Sequence, residues 1–153
     1  MDNCSGSKYL IAYSNNLNYC ITAKTVGSGS QVVLYHVTGI GNARQQWIFD
    51  ETNQVIRSAA DENLVLSIQG SPISLTPIII SSYIPGNTAQ QWDWTSKLGS
   101  IKNVAYPQFM IDNKCQVVAD NNPIILYAEN PTAAQVWTFV KLSHDEVNTP
   151  MMA

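Results

Sequence analysis

The chain has 153 residues, of which 45% are hydrophobic and only 12% are charged, and its formal net charge is -3. Soluble domains usually carry about 25% charged residues, so neutral polar side chains must cover much of this surface. The length fits one domain. The acidic balance and the scattered Lys and Arg residues exclude the basic surface that nucleic acid binding needs. The longest apolar stretch, Ile73 to Ile80, is too short to span a bilayer, so we expect no membrane insertion.

The amino-terminal residues 1–7 lack the positive and apolar segments of a secretory signal. We therefore expect a cytoplasmic protein, or one that is secreted without a recognisable signal peptide. The three cysteines, Cys4, Cys20 and Cys115, are too few for a disulfide framework, which favours reduced thiols.

Short runs rich in Ile, Val, Tyr and Trp follow one another along the chain and are separated by turn-forming residues. No eleven-residue window has a sustained apolar pattern at helical spacing. The sequence therefore predicts an all-β domain of about twelve short strands. In chain order these runs lie at about residues 9–12, 19–21, 32–35, 47–49, 55–58, 64–66, 78–81, 92–94, 100–103, 109–111, 124–127 and 137–139.

A repeated Gln-x-Trp signature divides the chain into three units. It occurs at Gln45-Gln46-Trp47, Gln90-Gln91-Trp92 and Gln135-Val136-Trp137, with 45 residues between successive tryptophans. Each unit holds four strand-like runs, which predicts repeats at about residues 8–52, 53–97 and 98–142. Residues 143–153 have no strand pattern, and we expect a flexible carboxy-terminal tail there.

Three four-stranded units can bury one face each and remove their exposed edges by closing around a common axis. Three blades are too few for a propeller, whose usual minimum is about four. The predicted fold is a β-trefoil with pseudo-threefold symmetry, forming a single domain over residues 1–153.

The three signatures, together with an apolar run that ends at Thr22, Ser67 and Asp112, resemble the ricin B-type (R-type) β-trefoil lectin family. The resemblance covers about residues 8–142 and implies a carbohydrate-binding protein. It also implies that the signature residues are mainly structural, with the tryptophans in the core and the glutamines bonded to buried backbone groups. These residues are Gln45, Trp47, Gln90, Trp92, Gln135 and Trp137.

In the family, sugar is held by an Asp at the end of the second strand of a repeat, an aromatic at the end of the third, and nearby amides. The third repeat matches this pattern best, although Ala134 stands where the family has an Asn. The predicted site residues are Asp112, Tyr127, Asn113, Asn130 and Gln135. Two plainer interpretations stay open, because Asp112 suits a turn and Tyr127 suits a half-buried strand.

The first repeat is the candidate for a weaker site. It keeps an aromatic, Tyr35, beside His36, but has Thr22 in place of the acid and Arg44 in place of the Asn. A hydroxyl cannot accept from two sugar hydroxyls as a carboxylate can. The second repeat has Ser67 and Ser81 at both key positions and is predicted to be silent.

The resemblance implies galactose or N-acetylgalactosamine-type ligands on glycans or glycoproteins, bound through one or two of the three repeats. Useful avidity would then need a second site or a homodimer. The alternative is a trefoil that binds protein, such as a protease inhibitor or a toxin accessory subunit, without sugar binding.

No enzymatic activity, cofactor or metal is expected. The histidines His36 and His144 lack the spacing of metal ligands. Cys20 lies within an apolar strand, where an inert thiol is expected.

Overall fold

The computed structural model describes residues 6–39 and 41–142 of the chain. These residues contain twelve β-strands. The first repeat contains β1 (Lys8–Tyr13), β2 (Asn16–Ala23), β3 (Val32–His36) and β4 (Trp47–Asp50). The second contains β5 (Val55–Ser58), β6 (Asp61–Ile68), β7 (Ile78–Ser82) and β8 (Trp92–Asp93). The third contains β9 (Lys102–Asn103), β10 (Phe109–Asn113), β11 (Asn122–Ala128) and β12 (Trp137–Lys141). The predicted all-β class and the number of strands are confirmed.

Helical structure in the described part of the chain is limited to three-residue turns, at Ala43–Gln45, Thr88–Gln90, Lys114–Gln116 and Ala133–Gln135, and Cys115 and Gln116 in the third of these have a positive φ. Three of them precede the last strand of a repeat. None is long or apolar enough to cross a membrane. The predicted flexible tail at residues 143–153 lies outside the described residues.

The first and last strands of the repeats meet in a ring. Strand β1 pairs with both β4 and β12. Strand β4 pairs with β5, and β8 pairs with β9. The ring is completed by the backbone N–H of Trp92, which donates to the Gln54 carbonyl at 2.8 Å, and that of Trp137, which donates to the Gly99 carbonyl at 2.8 Å. Gly99 has a φ of +84°, and an added Cβ would lie 3.0 Å from the Trp137 carbonyl oxygen, so this junction requires glycine. The closed arrangement is a β-trefoil, as predicted.

The three signature tryptophans fill the core inside this ring. All three are buried. Each indole N–H donates to a carbonyl 26 residues earlier in its own repeat, which satisfies the one polar atom that burial would leave unpaired. The acceptors are Ile21 at 2.9 Å, Leu66 at 3.0 Å and Ile111 at 3.2 Å. Sequence spacing alone therefore fixes the same tertiary contact three times.

The second and third strands of each repeat form a hairpin whose tip contacts the next repeat. Three equivalent backbone N–H groups make these contacts: Gly29 to the Ile80 carbonyl at 2.7 Å, Leu75 to Leu126 at 2.8 Å and Asn121 to Leu34 at 2.8 Å. The hairpin tip of the first repeat therefore lies beside the third strand of the second repeat, and that of the second repeat lies beside the third strand of the third. The hairpin tip of the third repeat lies beside the third strand of the first.

Candidate functional site

A cleft of about 230 Å³ opens in the third repeat, between the β10–β11 hairpin and the turn Ala133–Gln135. Asp112 comes from the end of β10, Tyr127 from the end of β11, and Asn130 from the loop that follows. The structure thus brings three of the predicted site residues together. Their strands are neighbours in register, with Met110 opposite Tyr127 and Asp112 opposite Ile125.

The Asp112 carboxyl is the most deeply placed polar group of this cleft, and the residue is only 3% exposed. Its Oδ2 accepts from Gln135 Nε2 at 3.0 Å. No second hydrogen-bond donor reaches this carboxyl within residues 6–39 and 41–142. Burial raises the pKa of Asp112 above the ordinary value of 3.8, and the Gln135 hydrogen bond offsets part of that rise. The carboxylate keeps the capacity to accept hydrogen bonds from a ligand.

Gln135 donates a hydrogen bond to the Asp112 carboxyl, and its own amide is held by two backbone groups. Its Nε2 also donates to the Ala128 carbonyl at 2.9 Å, and its Oε1 accepts from the Asn130 backbone N–H at 3.0 Å. The same two backbone bonds hold Gln45, through His36 and Thr38, and Gln90, through Ser82 and Ile84. Only the third repeat places a carboxylate where the glutamine amide can position it.

Tyr127 gives the cleft an aromatic wall, since 36% of the residue remains exposed beside the buried carboxyl. Ala134 also lines the cleft and has only a methyl side chain. Asn130 also lines the cleft, but its Oδ1 already accepts from the backbone N–H of Thr132 at 3.0 Å and from the Thr132 hydroxyl at 2.6 Å. Asn130 therefore shapes the rim of the cleft.

Asn113 corrects one sequence-based expectation, because its side chain is not brought to the cleft. The residue is fully buried, its Nδ2 donates to the Val117 carbonyl at 2.9 Å, and its Oδ1 accepts from Asn122 Nδ2 at 2.8 Å. These bonds hold the turn that follows β10. The Asn113 amide therefore stabilises the turn, and of these two neighbouring residues only Asp112 lines the cleft.

The corresponding position of the first repeat is filled by its own side chains. Thr22 is buried, its hydroxyl donates to the Cys20 carbonyl at 3.2 Å, and it accepts from Gln45 Nε2 at 3.2 Å. Arg44, the counterpart of Ala134, donates from one guanidinium nitrogen to the Lys24 carbonyl at 2.8 Å and to Ala23 at 3.3 Å. The long side chain lies where the third repeat has only a methyl group.

The aromatic pair of the first repeat is tied to the third repeat. Tyr35 stacks on the His36 ring at 4.8 Å between centroids. His36 Nδ1 lies 2.9 Å from Asp120 Oδ2, and its backbone N–H donates to Asp120 Oδ1 at 2.9 Å. These contacts with His36 lower the pKa of Asp120. The structure therefore brings Tyr35 and His36 together, and the carboxylate next to His36 is that of Asp120 from the third repeat, which is already bonded to His36.

The second repeat has no acid at the key position. Ser67 is buried and donates to the Ile68 carbonyl at 3.4 Å, while Ser81 accepts from Gln90 Nε2 at 3.0 Å. The nearby Tyr83 packs under the Arg57 guanidinium, 4.7 Å from its ring centroid.

Several cleft residues were missed by sequence reasoning. Lys114, Cys115 and Gln116 line the cleft from the turn after β10, and Leu75 reaches it from the hairpin of the second repeat. A signal existed for Leu75, since aligning the hairpin tips places it opposite Gly29 and Asn121. The proximity of Leu75 to the third repeat can be seen only in the folded structure.

The sequence matches the family model of the ricin-type beta-trefoil lectin domain over residues 4–92, more than half of the chain. The chain belongs to the ricin-type β-trefoil lectin family. Among curated protein sequences none matches this chain. Family membership supports carbohydrate binding.

Solved structures share the fold of this lectin-family chain. A mosquitocidal holotoxin matches with a TM-score of 0.78 and 21% identity over 96% of this chain, and the chain spans only 18% of that toxin chain. The C-half of an earthworm R-type lectin in complex with GalNAc matches with a TM-score of 0.75 and 14% identity, covering 89% of this chain and 99% of that one. The β-trefoil lectin of a Vibrio vulnificus hemolysin, with N-acetyl-D-lactosamine bound, gives 0.71 and 15%, covering 92% and 98%.

Proposed function

We propose that this protein is a lectin that binds a neutral saccharide of the galactose or N-acetylgalactosamine type in the third-repeat cleft. The observation that carries the proposal is the Asp112 carboxyl, which faces the cleft, is held by Gln135 and has unused acceptor capacity. A carboxylate of this kind accepts hydrogen bonds from sugar hydroxyls, and such charge-assisted bonds are the strong ones.

The apolar part of the cleft lining fits a pyranose ring. Tyr127 offers an aromatic face to the apolar side of a sugar ring, and Ile125 and Ala134 continue the apolar lining. A site with a few polar groups on a mainly apolar wall is typical of small-molecule recognition. The earthworm lectin and the Vibrio lectin, whose ligands carry N-acetyl sugars, support this ligand class.

The first repeat is proposed as a weaker or altered site built on Tyr35, His36 and Thr22. Its hydroxyl replaces the carboxylate, and Arg44 occupies space that the third repeat leaves open. Binding at one site of this size is weak by itself, so avidity toward glycoproteins requires this second site or a homodimer.

A glycan array followed by titration calorimetry with the free sugar tests the proposal. We expect binding to galactose or N-acetylgalactosamine-terminated glycans that free sugar competes away. In Asp112→Asn the affinity falls at least about tenfold, because a hydrogen bond to a charged group contributes about 1.5 to 3 kcal/mol. The melting temperature is kept, because the variant replaces a buried carboxyl by an amide of the same shape.

Thr22→Val is the matched control, since it removes the group to which the first-repeat glutamine donates. The affinity of the third-repeat site should not change in this variant. Unchanged glycan binding in Asp112→Asn contradicts the assignment of the site. A blank array together with inhibition of proteases favours the protein-binding alternative.

A further inference from the structure

We infer that Leu75, which belongs to the second repeat, is a ligand-contacting and specificity-determining residue of the third-repeat cleft. The inference rests on the proposed saccharide site and adds to it a wall from a neighbouring repeat. Leu75 lines the cleft together with Asp112 and Tyr127. It is a large apolar side chain that is 58% exposed, so folding does not hide it in the core.

The backbone of Leu75 adopts a conformation that its side chain disfavours. Its φ is +79°, in the left-handed region where Cβ crowds the backbone. The equivalent hairpin tips carry residues suited to that region, Gly29 with φ +94° and Asn121 with φ +68°. The second repeat alone places a leucine at this position, although the fold accepts glycine or asparagine there.

Hydrogen bonds to β11 fix this conformation. The Leu75 N–H donates to the Leu126 carbonyl at 2.8 Å, and the Leu126 N–H donates to the Thr76 carbonyl at 2.8 Å. Beside them, the Ala128 N–H donates to Ser74 Oγ at 3.0 Å. These bonds lie on either side of Tyr127 along β11, so they hold the Leu75 backbone against the strand that carries Tyr127.

Unfavourable backbone conformations concentrate around this cleft. Among the described residues, five residues other than glycine have a positive φ, and three of them, Leu75, Cys115 and Gln116, line the cleft. Such conformations persist where the surrounding structure fixes them, and they cluster at ligand-binding sites. The leucine therefore serves the ligand, because the fold has no use for an exposed apolar side chain at a left-handed position.

The saccharide that fits must present an apolar patch to Leu75 as well as hydroxyls to Asp112. Leu75 then covers that patch while Tyr127 covers the ring face. Losing the contact should weaken binding about fivefold, the equivalent of partly burying one leucine side chain.

The test measures saccharide affinity and melting temperature for Leu75→Asn and Leu75→Gly, which copy the two equivalent hairpin tips. We expect affinity to fall about fivefold in both variants, with a melting temperature equal to or above that of the wild type because the backbone is relieved. Leu17→Asn is the control, since Leu17 is also exposed, at 56%, but does not line the cleft, and its affinity should equal the wild type's.

Wild-type affinity in both Leu75 variants overturns the inference and leaves the proposed function intact. A lower melting temperature in both variants shows a structural role and also overturns it. A wild-type protein that binds no saccharide overturns the proposed function, and this inference with it.

Discussion

The first and third repeats share the same backbone arrangement around their signature glutamine, but they differ in the side chains that surround its amide. In both, a signature glutamine is held by two backbone bonds and directs its amide at the end of the second strand. In the first repeat the amide meets Thr22, and Arg44 lies across the position. In the third it meets Asp112 beside the small Ala134. Two positions per repeat therefore distinguish the first repeat from the third, while the fold is unchanged.

The largest expected effect comes from removing the glutamines. Gln135→Ala removes the acceptor of the Asn130 N–H, the closer of two side-chain donors to the Ala128 carbonyl, and the donor to Asp112. At about 1 kcal/mol for each of three hydrogen bonds, the free energy of unfolding should fall by about 3 kcal/mol. Urea unfolding measures this loss.

Gln45→Ala sharpens the comparison, because it removes the equivalent bonds in the first repeat. We expect a similar loss of stability but no change in saccharide affinity at the third-repeat site. Equal losses of affinity in the two variants would show that Gln135 has no positioning role.

Substitutions at the equivalent positions Arg44 and Ala134 test whether this residue sets the difference in binding between the two repeats. Ala134→Arg places a long cation in the cleft beside Asp112, as Arg44 lies in the first repeat, and calorimetry should show affinity reduced at least about tenfold. Arg44→Ala removes the guanidinium bonds to Ala23 and Lys24 and should leave the third-repeat affinity unchanged. Full saccharide binding in Ala134→Arg would contradict the location of the site.

The smallest effect is the pH dependence of binding. Because the pKa of Asp112 is raised above 3.8, the carboxylate is protonated in the folded protein at a pH where an unfolded Asp is still ionised. Affinity should fall as the pH falls through that raised pKa, by about twofold when half the carboxyls are protonated. Calorimetry across the acidic range measures this.

Stability should change in the opposite direction. Between the unfolded and the raised folded pKa the folded state binds more protons, so the free energy of unfolding falls as pH rises through that window. Asp112→Asn should remove this contribution. If saccharide affinity did not change across the acidic pH range, binding would not depend on an ionised Asp112 carboxylate.

Much of this site follows from residue type and spacing. The resemblance to the lectin family implied Asp112 and Tyr127, which match the family's acid and aromatic positions at the ends of strands, and the structure puts both in the cleft. Asn113 was predicted to join them, but its amide holds the following turn through the Val117 carbonyl and the Asn122 side chain. Periodicity gives the face of a strand, and it does not decide which hydrogen bonds a turn residue makes.

The sequence by itself determined the repeat, the all-β class and the trefoil, because three tryptophans 45 residues apart impose the same core contact three times. Only the tertiary structure decided which repeat keeps an open cleft and what lines it. Arg44 reaches the backbone carbonyls of Ala23 and Lys24 at the end of β2. Leu75 enters the third-repeat cleft from the second repeat. Both depend on distances between segments that are remote in sequence, which no local pattern records.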